Sequence, residues 1–358
     1  MQCWGNNSRG QLGNGTTSLS LVPVTVSGIT NAVAVGSGPY HTCVVLADGR
    51  MQCWGYNADG QLGDGTTINS SVPVPVSGLT NAIAVAGGYR HSCALLADGR
   101  VRCWGYNADG QLGDGTTINS SVPVTATGLT NAMAVASGFD HSCAVLADDR
   151  VLCWGRNNSG QLGIETTISS SVPVPATGLT NAVAVSGGPG HTCAVLTDGG
   201  VQCWGRGSSV PLDGTTSSSS LPVTISGLSN AVAVTSGACD GYSCAVLNDG
   251  RVQCWGHNHF GPDKGPKRTT AYFRVPVTIS GLTNAVAVTA GDTHNCALLA
   301  DGRVQCWGQH AGGRLGNGTT SPSSVPVTVR LANTVAVGDR VAQTGEYGND
   351  ASSRLGSQ

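Results

Sequence analysis

The tripeptide Cys-Trp-Gly occurs seven times, at Cys3, Cys53, Cys103, Cys153, Cys203, Cys254 and Cys306, in steps of 50, 50, 50, 50, 51 and 52 residues. Self-similarity at such a period marks a repeat architecture, in which each unit buries its apolar faces only against its neighbours. Residues 51–74 and 101–124 differ only at Met51/Val101 and Gln52/Arg102, which points to recent duplication. No segment carries a helical stripe. In the second unit VPVPV (72–76), NAIAVA (81–86), HSCALL (91–96) and VRCWG (101–105) read as strands between Gly, Pro, Asn and Asp punctuation. Four short antiparallel strands per unit, repeated seven times, predict an all-β, seven-bladed β-propeller, with a stacked β-solenoid as the alternative. One domain is expected over 1–347, with repeats near 1–50, 51–100, 101–150, 151–200, 201–251, 252–303 and 304–347 and a disordered tail at 348–358.

Cysteine spacing follows from the hairpin inside each unit. With Ala97-Asp98-Gly99 as a three-residue loop, the pairs run Leu96–Arg100, Leu95–Val101, Ala94–Arg102 and Cys93–Cys103. The two cysteines then stand directly opposite on one face, about 4.5–5.5 Å apart, within disulfide reach. The same count pairs Cys43–Cys53, Cys143–Cys153, Cys193–Cys203, Cys244–Cys254 and Cys296–Cys306. Zinc ligation and reduced core thiols are the alternatives, although no CxxC occurs. Cys3 and Cys239 are left over. The mate of Cys3 should fall near Gly345, where Gln343 stands for the repeated His. The N-terminal strand is therefore expected to share the last blade with C-terminal strands, without a disulfide clasp.

Only 11% of the 358 residues are charged, against about 25% in a typical soluble domain, and the formal net charge is −2. No basic field exists to attract nucleic acid, and no apolar run of about 18 residues suggests a transmembrane helix. Neither a phosphate loop of the GxxxxGK[ST] type nor HExxH occurs, so no catalytic residue and no cofactor is expected. The segment YNADGQLGDGTT (56–67) loosely resembles a calcium loop, but it lacks the DxDxDG spacing and a terminal bidentate Glu, and turn chemistry is the better account.

Other recurrent residues read as structural. His41, His91, His141, His191 and His294, with Tyr242 and Gln343 in the other units, suit a repeated imidazole-to-backbone hydrogen bond. The repeated Trp lies on the strand face opposite the cysteines and suits packing between blades. N-x-[ST] sequons stand at Asn6, Asn14, Asn69, Asn119, Asn157 and Asn317. One unit breaks the pattern, in GHNHFGPDKGPKRTTAYFRVPV (256–277). Phe260, Lys264, Lys267, Arg268, Tyr272, Phe273 and Arg274 crowd there, and Lys264 and Lys267 are the only lysines of the chain. Basic and aromatic side chains favour interfaces, which makes this segment the candidate partner site.

The run GGYRHSCALLADGRVRCWGYNADGQLG (87–113) resembles the regulator of chromosome condensation (RCC1-like) repeat, and the resemblance covers nearly the whole chain. It implies a propeller whose end strands close the ring. The added cysteines look like the secreted bacterial type of that family. The founding member is a guanine nucleotide exchange factor, whereas disulfides suit an oxidising compartment. The expected role is an extracellular or cell-surface, non-catalytic propeller that contacts a protein or surface polymer in adhesion or filament self-assembly. The alternative is a secreted inhibitor or receptor domain gripping a partner through one propeller face. Nucleotide exchange is the third reading.

Overall fold

The computed structural model describes residues 1–206, 218–237, 241–258 and 271–331, with three short strands beyond them, Val335–Ala336, Ser352–Arg354 and Gly356–Ser357. After β1 (Gln2–Gly5) and β2 (Ser20–Thr25), the first full repeat forms β3 (Ala32–Ser37), β4 (His41–Leu46), β5 (Met51–Gly55) and β6 (Ser70–Pro75). These four strands make one antiparallel sheet in sequence order, designated blade 1. Blades 2 to 6 repeat it over residues 82–125, 132–175, 182–224, 231–278 and 285–328.

Seven four-stranded blades were expected, and six are present among the described residues. Of the two remaining sheets, one has three strands, with β1 between β2 and Ser352–Arg354, and the other pairs Val335–Ala336 with Gly356–Ser357. The reason is the decay of the repeat after residue 330. The cysteine-bearing partner strand that β1 needs is replaced by residues from the segment expected to be a disordered tail. Cys3 stands opposite Ser353, while Gln343 and Gly345 lie outside the described residues. Both edges of β1 are thereby occupied, so this strand leaves no open edge for pairing with another chain.

Hairpin registers agree with the spacing argument. Cys93 faces Cys103, Ala94 faces Arg102 and Leu95 faces Val101. Gly99 closes the turn with φ 76°, its N–H donating to Leu96 O at 3.0 Å. Blade 3 has Asp149 at the equivalent position with φ 62°, a left-handed conformation that strains a residue bearing a Cβ. Six disulfides join the predicted pairs, with Cα–Cα distances of 4.0–4.1 Å. These cysteines are bonded to each other and ligate no zinc. Cys3 is buried, and Cys239 lies outside the described residues.

The core sits between blades. One cluster gathers Cys43, Cys53, Leu62 and Val76 of blade 1 with Ala94, Leu96 and Trp104 of blade 2. Because Cys103 and Trp104 are adjacent in one strand, their side chains point to opposite faces. The disulfide face of each blade therefore meets the tryptophan face of the next. Strand β4 is buried along its whole length, since a neighbouring blade covers each face. Outer strands such as β6 carry proline, which lacks the N–H that an exposed edge could offer to another chain.

Polar groups staple the seams from the closing sheet to blade 4 through one recurring Gln carbonyl, which accepts from a Trp and from a Ser or Thr of the next unit. Gln61 O, in a blade 1 loop, accepts from Ser92 Oγ at 3.0 Å and Trp104 Nε1 at 2.9 Å, both in blade 2. Ser92 Oγ also meets Nε2 of His41 in blade 1 at 2.8 Å. The serine gives its one proton to Gln61 O, so His41 carries its proton on Nε2 and donates. The expected imidazole-to-backbone bond is thus an imidazole-to-hydroxyl bond that crosses the seam. His91–Ser142, His141–Thr192 and His191–Ser243 repeat it at 2.9, 2.9 and 3.1 Å. Trp4 Nε1 donates to Arg314 O at 3.0 Å and ties the closing sheet to blade 6.

Candidate protein-docking face

Strand direction sorts the loops. His41, Gly55 and Ser70 lie side by side in register, so residues 38–40 and 56–69 emerge at one end of blade 1. The Asp-Gly-Arg turns, such as 48–50, lie at the other end. There each aspartate pairs with the arginine two residues on, at 2.7 Å for Arg50–Asp48 and Arg100–Asp98. The first end is called the loop face.

Most of the loop face serves its own fold. Asn57 Nδ2 donates to Thr66 O and Ile68 O at 3.2 and 3.1 Å, while its Oδ1 accepts from Leu62 N at 2.8 Å. Asp64 Oδ1 accepts from Thr66 N at 3.0 Å. The amides and carboxylates that suggested calcium are engaged in these turn contacts. Among the described residues, no group of three or more His, Cys, Asp or Glu is placed to hold a metal ion.

At three positions the loops differ from blade to blade, and there an aromatic arc forms. Tyr56 N donates to Tyr40 O at 2.8 Å, Tyr106 N to Arg90 O at 2.9 Å and Arg156 N to Asp140 O at 2.8 Å. One backbone bond thus brings together a different side-chain pair in each blade. In blade 1 the pair is two tyrosines with ring centroids 6.2 Å apart. In blade 2 it is Arg90 over Tyr106, at 5.5 Å. In blade 3 it is an Arg156–Asp140 ion pair at 3.3 Å. Tyr89 N donates to Phe139 O at 3.0 Å across the seam, and the Tyr40–Tyr89 and Tyr89–Phe139 centroids lie 5.7 and 4.9 Å apart. Arg90 also stacks on Tyr89 at 5.4 Å and approaches Asp59 at 3.7 Å, while Arg9 covers Tyr56 at 5.2 Å. Burial raises the carboxyl pKa of Asp59 and of Asp140, against the attraction of Arg90 and Arg156 respectively.

Sequence reasoning missed this arc. The available signal was the departure from the repeat at equivalent sites, Tyr40, Arg90 and Asp140 in one series and Pro39, Tyr89 and Phe139 in the other. The predicted site is placed only in part. Tyr272, Phe273 and Arg274 lie in the outer strand of blade 5, with Tyr272 opposite His257 and Phe273 opposite Gly256. That is the loop-face end of the blade. Phe260, Lys264, Lys267 and Arg268 lie outside the described residues. The sequon asparagines belong to the same loops. Asn69 Oδ1 accepts from Asn57 N at 2.7 Å, and Asn119 Oδ1 from Asn107 N at 2.8 Å. Asn6, Asn14 and Asn317 likewise accept within their loops. Asn157 is fully buried and donates to Thr166 O at 2.8 Å, so a glycan there does not fit this packing.

Fold and face together define an all-β repeat propeller whose buried histidines, hydroxyls and tryptophans bond across blade seams and whose loop face carries residues that differ between blades. The chain belongs to the RCC1-like domain family, whose sequence model matches residues 1–346. It is 35% identical over 117 residues to protein pim1 of Schizosaccharomyces pombe, covering 29% of this chain and 22% of that protein. It is 35% identical over 103 residues to the RCC1-like G exchanging factor-like protein of Mus musculus, covering 26% and 22%. These alignments therefore span about a fifth of each relative. The fold is also that of human WBSCR16, with TM-score 0.83, 22% identity, and coverage of 98% of this chain and 96% of that one. Prp20p of Saccharomyces cerevisiae gives TM-score 0.82, 21% identity, and coverage of 98% and 89%. The expected extracellular location is overturned, because these relatives are intracellular RCC1-type proteins. The relatives are also eukaryotic, and the secreted bacterial subtype is not carried forward.

Proposed function

We propose that this chain is a non-catalytic protein-binding propeller that engages its partner through the loop face. The carrying observation is the arc of Tyr40, Tyr56, Tyr89, Arg90, Tyr106 and Phe139, partly exposed and held in place by ring–ring and ring–guanidinium contacts. Tyrosine and arginine are the residues enriched at binding hot spots, and a preformed cluster loses little side-chain freedom on docking. A photo-crosslinking amino acid at Tyr106 is expected to capture a partner protein, and one at Arg100, on the opposite end, is not. Capture only from Arg100, or capture at Tyr106 that survives Y89A/F139A, would overturn the reading.

Guanine nucleotide exchange is the second reading. It draws on the description of the mouse relative as an RCC1-like G exchanging factor-like protein and of Prp20p as binding Gsp1p. It predicts that the purified chain accelerates release of a fluorescent guanine nucleotide from a small GTPase. An unchanged release rate removes it.

A further inference from the structure

This inference rests on the loop-face reading and specifies the chemistry of the partner. The arc is one part of a sector that spans four consecutive units, the closing sheet and blades 1 to 3. Its outer margin carries Ile68, Ile118 and Ile168 at equivalent loop positions, each 73% exposed, and Leu19, one position further along its loop and 56% exposed. Equivalent positions in the three later repeats are Ser217, Ala271 and Ser321, so the isoleucines stop after blade 3. Loops of adjacent blades are joined along this margin, since Gly65 N donates to Ser121 O and Gly115 N to Ser171 O, each at 2.9 Å. Apolar residues that recur in four neighbouring loops form a band, unlike the single exposed hydrophobics found on any surface.

Charge supplies the partner's sign. Loop residues 6–19, 38–40, 56–69, 88–90, 106–119, 138–140 and 156–169 carry three arginines, Arg9, Arg90 and Arg156, against six carboxylates, Asp59, Asp64, Asp109, Asp114, Asp140 and Glu165. The sector is therefore acidic as well as aromatic. Its rings already accept cations from within the chain, with guanidinium carbons 5.2–5.5 Å from the centroids of Tyr56, Tyr89 and Tyr106. Aromatic faces among carboxylates favour a cation, because the ring quadrupole and the acidic field act in the same direction. We propose that this sector docks a basic segment of a partner protein, its arginine or lysine side chains stacking on the aromatic arc and its apolar residues resting on the isoleucine band.

The test uses the purified full chain and two fluorescent peptides, nine-residue oligoarginine and nine-residue oligoglutamate, read by anisotropy. Oligoarginine is expected to bind, and to bind more weakly as salt rises from about 50 to 300 mM. Y89A/F139A is expected to weaken it about ten-fold and D109N/D114N about five-fold. D98N/R100Q, on the opposite end, is expected to leave it unchanged. Thermal melting of each variant separates a lost contact from a lost fold, and the carboxylate-to-amide pair retains the shape of the loops. No oligoarginine binding, equal binding by both sector variants, or tighter binding of oligoglutamate would each overturn the proposal. If crosslinking at Tyr106 still captures a partner while oligoarginine does not bind, the charge assignment fails and the loop-face reading survives.

Discussion

The seams between blades and the aromatic arc of the loop face both occupy repeat-equivalent positions, yet they follow opposite rules. At the seams the same set recurs in register: a His, a Ser or Thr, a Gln carbonyl and a Trp, all buried. In the arc the equivalent positions hold Tyr, Arg and Asp in successive blades, partly exposed. Buried polar groups vary little, because each donor or acceptor left unmatched costs about 1–3 kcal/mol. Exposed groups can hydrogen bond to water instead, so they are free to diverge and to meet a partner. Repetition marks what holds the molecule together, and departure from repetition marks what it can touch.

That contrast can be broken by substitution. The largest expected loss of stability is at the seam: W104A should cost about 3–5 kcal/mol in chemical unfolding, through the emptied volume and the lost bond to Gln61 O. W104F should cost less, because Gln61 O still accepts from Ser92. Next, C93A/C103A should lower stability by roughly 2–3 kcal/mol, as a short disulfide loop is released in the unfolded state.

Acid should act through the seam as well. Burial pushes the pKa of His41 down to about 4 and those of His91, His141 and His294 to about 3. Unfolded histidine takes up protons near pH 6.5, whereas these stay neutral, so the unfolded state binds more protons below that pH. Their contribution is complete above pH 6.5 and is lost as pH falls toward 3–4. A urea midpoint that holds constant between pH 7 and 4.5 would show that these imidazoles are not buried neutral.

A gain is expected from restoring the repeat. D149G should stabilise by about 1 kcal/mol, since glycine adopts the positive φ of that turn without penalty. The smallest change in stability belongs to the face. I118S should stay within about 0.5 kcal/mol, because its side chain is already in water. If I118S unfolds the protein as W104A does, the distinction between seam and face collapses.

The strands, the hairpin register and the six cysteine pairs were legible because they follow from a period of two and a three-residue loop inside about fifteen residues. Less local features were not. The partner of His41 is Ser92, 51 positions away, and no pattern within one repeat points to the next. The blade number was misjudged because the chain supplies six complete sheets and closes with residues that no longer resemble the repeat. The arc is not legible in a single repeat because its members share a place in the blade but not a residue type, whereas the lysine-bearing segment at 256–277 stands out by composition.

By itself the sequence determined a repeated, disulfide-stapled β-unit, since local spacing decides which residues oppose each other in a hairpin. Only the tertiary structure decided how the units meet. It set the disulfide face of one blade against the tryptophan of the next, routed each histidine to a hydroxyl across the seam, and closed the ring by placing β1 between β2 and Ser352–Arg354. It also gathered Tyr40, Tyr89 and Phe139, each about fifty residues from the next, onto one face. Contacts between units depend on packing in three dimensions, which the spacing inside a single unit does not encode.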